Sequence, residues 1–229
     1  MSGIMEINRD TFWTLLEQAK RECGQNLCEE YQWLEEKLMS MVPEQALRFQ
    51  YFTRGYRDAA YKYGLWSAAC VLSHGCREDG FIDFRAWLIA QGKDVYLAAL
   101  KDPDSLAAVE PYGGCRFENL SYLGDWIYEE KTGNSAYDVA VPQGLQAELE
   151  QARNEIMYSP NIEYPLEWHE LESHLPRLFK KYLTPEQIRE NIARGVAMWN
   201  PNTLELQMMR EKYKPQKVKS SRKKGGDAR

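Results

Sequence analysis

The chain has 229 residues, of which 44% are hydrophobic and 28% charged, with a formal net charge of −5. A chain this long can hold one large domain, or a domain with a helical extension, and buries enough surface to fold without a disulfide or metal staple. Its apolar content excludes a wholly disordered protein, and no apolar run approaches the roughly 20 residues of a membrane span.

The opening residues MSGIMEINRD contain no apolar signal core, and five cysteines without a Cys-x-x-Cys pair suit neither a disulfide framework nor a zinc ribbon. The expectation is a cytoplasmic protein with reduced thiols. Charge is unevenly spread. Residues 214–229 hold seven Lys or Arg against one Asp, leaving 22 basic and 33 acidic residues before them, a net of −11. Nucleic acid is therefore an unsuitable main partner for the acidic body, and the basic tail is the one segment with the charge to touch it.

In chain order, Phe12, Leu15, Leu16, Ala19 and Cys23 recur at helical spacing, which predicts a helix over 10–23 with Asp10 as N-cap and Gly24 as its stop. Leu27, Tyr31, Leu34, Leu38 and Met41 form the stripe of a second helix, and Pro43 opens a third carrying Phe52, Tyr56, Ala59 and Tyr63. Residues 65–72 are apolar nearly all round, as a helix buried on most sides would be. A charged, glycine-containing turn at His74–Gly80 leads into a helix predicted from Phe81 to about Gln91, with Asp79 able to cap it.

A short helix over 94–100 follows, then Asp102-Pro103-Asp104-Ser105, an N-cap with Pro at the first position. Leu120, Leu123 and Ile127 mark a helix ending near Gly133; Leu145, Leu149, Ala152 and Ile156 mark another. The last helices are predicted near 166–181, 184–199 and 203–213, with Thr184-Pro185-Glu186-Gln187 as a strong start signal. No segment alternates with period two, so the expected fold is all-α: a multi-helix orthogonal bundle over 1–135, C-terminal helices over 143–213 packed on it or extending it, and a disordered basic tail over 214–229.

The run Leu65-Trp66-x-Ala68-Ala69, then Gly75-Cys76-x-x-Asp79-Gly80-Phe81-x-x-Phe84-Arg85-x-Trp87-Leu88-Ile89-x-Gln91-Gly92, then Asp102-Pro103-Asp104-Ser105-Leu106, resembles a bacterial family, domain of unknown function 4240. Phe12-Trp13-x-Leu15-Leu16 resembles that family's opening helix, and the likeness covers about residues 1–130. The chain departs from it at His74, where the family often has a second Gly, and at Arg77-Glu78, where Ser-Asp is usual. The resemblance implies a module and brings no known reaction, ligand or partner.

The candidate site is this turn-helix. Asp79 and Asp83 lie one helical turn apart, with Arg85 placed to pair with one of them or with Asp102 or Asp104, and Trp66 nearby on the preceding helix. Two readings stand: a surface that binds a protein partner or small ligand, and an ion-pair network that locks helices together. The alternative is a hydrolytic or thiol-dependent enzyme using Cys76 with His74, or Asp79 with Asp83.

No metal or cofactor is expected. Cys70, His74 and Cys76 match no zinc spacing. In His169-Glu170-Leu171-Glu172-Ser173-His174 the histidines are five residues apart, about 140° around a helix, where a zinc protease motif needs four. Phosphate-loop, dinucleotide and nucleophile-elbow motifs do not occur.

Overall fold

The structure, a computed structural model, describes residues 6–166 and 168–193. Among the described residues it is all-α: eleven α-helices, three short 3-10 segments and no strand. The helices are α1 (Arg9–Cys23), α2 (Leu27–Met39), α3 (Pro43–Ala59), α4 (Tyr63–Leu72), α5 (Glu78–Ala90), α6 (Lys93–Lys101), α7 (Leu123–Thr132), α8 (Leu145–Asn154), α9 (Trp168–His174), α10 (Pro176–Tyr182) and α11 (Pro185–Ala193). The expected helix over 203–213, the end of the one over 184–199 and the tail over 214–229 lie outside the described residues.

Boundaries follow local chemistry. Asn8, rather than Asp10, caps α1: its carboxamide oxygen accepts from the N–H groups of Asp10 and Thr11 at 3.0 Å, and Thr11 returns a bond to the Asn8 N–H. Asp10 sits in the first turn, where a negative charge suits the helix dipole. Gly24, left-handed at φ 59°, stops the helix. Thr184 and Gln187 form the expected reciprocal cap of α11, at 2.8 and 3.3 Å. The single helix expected over 166–181 is instead broken into α9 and α10. Pro176 disfavours helical geometry at the preceding residue, and Leu175 is out of it at φ −128°, ψ 56°.

The core is built around α3, which packs on α1, α2, α5, α7 and α8. Phe12 and Trp13 of α1 meet Phe49, Phe52 and Tyr56 of α3 and Tyr96 of α6 in a cluster with ring centroids 4.5–5.6 Å apart. Where α3 meets α7, Gly124 lets the backbones approach closely: a Cβ there would lie 2.6 Å from the Ala46 carbonyl oxygen. Gln50 ties the contact by donating to the Ser121 carbonyl and accepting from the Asp125 N–H. The apolar helix α4 is buried from Ser67 to Leu72.

The C-terminal helices pack onto these. Glu148 of α8 accepts from Arg48 at 2.6 Å, the Leu166 N–H donates to the Ser67 hydroxyl at 2.8 Å, and Leu145, Leu149, Leu171, Leu178 and Ile188 are buried in the common core.

Candidate functional site

α4 ends in a tight reversal that sets the geometry of the turn. Ser73 is the C-cap, His74 takes the left-handed conformation at φ 52°, and the Gly75 N–H donates back to the Cys70 carbonyl at 2.9 Å. This is the Schellman closure, and its left-handed position is the one that favours glycine. His74, one of the places where the chain departs from the resembled pattern, therefore occupies the position where a side chain costs most, about 1 kcal/mol. Trp66 supports the turn from behind. Its indole N–H donates to the Cys76 carbonyl at 2.7 Å and its ring stacks on Phe81 at 5.1 Å.

α5 begins at Glu78, three residues before the expected start, so Arg77 is its N-cap residue and supplies no side-chain cap. Asp79 consequently lies inside the first turn, where its carboxylate accepts only from the next N–H, that of Gly80, at 2.9 Å. One turn on, Asp83 is half-buried, and its carbonyl accepts from the Phe117 N–H at 3.1 Å. That bond brings Arg116 alongside α5. The result is a cleft of about 330 Å³ lined by His74, Cys76, Arg77, Asp79, Asp83 and Arg116 together with the turn backbone. Burial chiefly, and then the charge of Glu118, push the Asp83 carboxyl above the usual range, while Arg116 pulls it the other way.

The fold does not assemble the expected cluster as one site. It brings Asp79, Asp83, His74 and Cys76 together, with Trp66 behind them, and sends the rest elsewhere. Arg85 is buried and forms no ion pair with a described carboxylate. Its guanidinium donates to the Arg57 carbonyl at 2.8 Å and the Phe81 carbonyl at 3.3 Å, and lies over the Tyr61 and Phe81 rings. Arg85 lies two residues past Asp83, about 200° around a helix of 3.6 residues per turn, which carries it to the core side of α5. Asp102 and Asp104 pair instead with Arg177 of α10.

Cys76 is 3% exposed, with its sulfur 3.6 Å from the Arg77 carbonyl oxygen; His74 is exposed, and among the described residues no hydrogen bond joins the two. No disulfide joins the five cysteines. Among the described residues no three His, Cys, Asp or Glu side chains converge in a way that could hold a metal ion. No helix there is long and apolar enough to cross a membrane. Arg116 and Arg177, the cations that organise the two acidic groups, carried no sequence signal: each reaches its partners through tertiary contact alone.

The fold and this cleft define an all-α module with a small, polar, mixed-charge surface site. The family model described as protein of unknown function (DUF4240) matches residues 7–130, more than half of the chain, and the chain belongs to that family. No curated protein and no solved structure matches it.

Proposed function

We propose that this protein is a non-enzymatic binding module and that the cleft between the His74–Gly80 turn, α5 and Arg116 takes a small ligand carrying both positive and negative charge. The observation that carries this reading is convergence: two carboxylates, two guanidinium groups and an imidazole open on one cleft of about 330 Å³, within the range of small-molecule sites. The strained His74 supports it, since a left-handed side chain kept at the mouth of a cleft is a cost without a structural return. The buried, multiply bonded groups, Arg85 and Asp104, have structural work that accounts for them; Asp79, exposed and bonded among the described residues to its neighbour alone, does not. We further propose a bacterial, cytoplasmic setting, in keeping with the family resemblance and the unbridged thiols.

The test is ligand-observed NMR with a panel of amino acids, acidic metabolites and amines against the protein and its Asp79→Asn and Arg116→Gln variants. A zwitterionic compound whose signal requires both side chains, in variants that keep the wild-type melting temperature, supports the reading. Failure of every zwitterion to distinguish wild type from the variants overturns it. A hydrolytic reading retains one observation, the raised Asp83 carboxyl beside Asp79; turnover of ester or phosphoester substrates that Asp83→Asn abolishes would select it instead.

A further inference from the structure

Asp83 and Arg116 face two ways. On the side away from the turn they also border a second and larger groove of about 750 Å³, whose other wall is α2. Leu27, Tyr31 and Phe117 give it apolar surface, and Glu35 and Glu118 line it beside Asp83. Arg116 is its one lining cation among the described residues, against three carboxylates. Glu35 is further oriented by the Tyr31 hydroxyl, which donates to it at 3.2 Å. The aromatic surface continues beyond the groove: Tyr31 meets Trp126 edge-on at 6.4 Å, Trp126 stacks on Tyr122 at 5.9 Å, and Trp126 is 44% exposed. An indole left in solvent beside an acidic, part-apolar groove is the composition of a recognition surface rather than of a solubilising one.

We propose that this groove docks a basic peptide segment of a partner protein, with Lys or Arg side chains against Glu35, Asp83 and Glu118 and apolar side chains against Leu27, Tyr31 and Phe117. The charge excess of the lining selects the sign of the occupant. The exposed ring faces add to it, because the negative face of an aromatic ring attracts a cation. The acidic body, at −11 outside the last sixteen residues, steers the same kind of segment toward it. The groove's size suits several residues of extended chain, whereas the cleft on the other side of Asp83 suits one small molecule.

Cys28 provides the readout, since it is exposed and lines the groove. A fluorescent twelve-residue peptide alternating Lys and Leu is titrated onto the full chain by anisotropy, beside the same peptide with Glu for Lys. Binding of the Lys peptide alone is expected. It should weaken about tenfold in a Glu35→Gln, Glu118→Gln double variant, which removes two of the groove's three carboxylates. Tyr31→Ala should weaken it too, and bound peptide should slow alkylation of Cys28. A Glu150→Gln, Glu163→Gln variant removes as much charge from residues that do not line the groove and should bind as wild type does. Equal loss in that control, equal binding of the Glu peptide, or binding without protection of Cys28 overturns the proposal. His74→Ala and Asp79→Asn touch only the small-ligand cleft, so their effects judge that reading separately.

Discussion

Replacing Asp104 with alanine should unseat α10. Asp104 is 4% exposed and spends both carboxylate oxygens on that helix: Oδ1 accepts from the Leu178 N–H at 2.8 Å, and Oδ2 from the Arg177 N–H at 3.0 Å and its Nε at 2.9 Å. These are the second and third residues of α10, whose N–H groups have no partner within the helix, so Asp104 caps α10 from a different part of the chain. Alanine removes a cap worth about 1 kcal/mol. It also leaves a buried N–H unpaired at a further cost of about 1–3 kcal/mol. The expected loss is about 3 kcal/mol, or roughly 6–12 °C in a chain of this size. Arg177→Ala isolates the ion pair. Its side chain is 56% exposed, so that variant should lose under about 1 kcal/mol. Asp104→Asn, with one accepting oxygen left, should fall between. Urea melts followed by tryptophan fluorescence measure all three, and limited proteolysis should cut the Asp104→Ala variant first between residues 155 and 166. Stability within 1 kcal/mol of wild type for Asp104→Ala, or an Arg177→Ala variant as damaged as it, would refute the capping argument.

Gly124→Ala should cost about 3 kcal/mol by driving α7 off α3, since its Cβ would strike the Ala46 carbonyl and the Gln50 backbone; a thermal melt checks it. His74→Gly should raise stability by up to about 1 kcal/mol by relieving the left-handed position, and a drop instead would show that the imidazole makes a compensating contact. Glu30 is buried, and that burial raises its carboxyl pKa against the opposing pull of Tyr112 and Lys20. A raised acid favours the fold while protonated, so its contribution is present at low pH and is lost as pH rises through the raised value. Glu30→Gln should therefore melt higher than wild type near neutrality, with the difference closing below the ordinary carboxylate range. Thiol titration should find Cys28 fast and Cys23 slower, with Cys70, Cys76 and Cys115 reacting only on unfolding: all three are buried, and burial pushes the Cys115 thiol up to about 12 and the Cys70 thiol well above its ordinary value.

Helical periodicity made the all-α fold legible, because an amphipathic stripe is a local property: the stripes at Phe12–Ala19, Leu34–Leu38 and Leu145–Ala152 all face the core. Proline and glycine punctuation placed the start of α3, the end of α7 and the start of α11 for the same reason, whereas Tyr63, expected on the third helix, opens α4, and Leu120 lies in a 3-10 segment before α7. The family motif was legible too, over nearly the span that the family model matches. Cap assignments were less so. Asn8 displaced Asp10, and α5 began early enough to turn Asp79 from a cap into a first-turn residue, because a cap depends on backbone geometry one residue either way.

Which charged groups meet was the part that needed the third dimension. Asp79, Asp83, Arg85, Asp102 and Asp104 all fall within residues 79–104, and by sequence distance they are neighbours. The rotation of α5 buries Arg85 among carbonyls and rings, α10 claims Asp102 and Asp104, and Arg116 arrives beside Asp83 through a bond between backbones. The sequence alone determines which faces seek the core, since hydrophobic burial follows local period. The partner of a charge is set by the path of the chain between them, and here that path divides one apparent cluster into a structural cap, a buried cation and an open mixed-charge cleft.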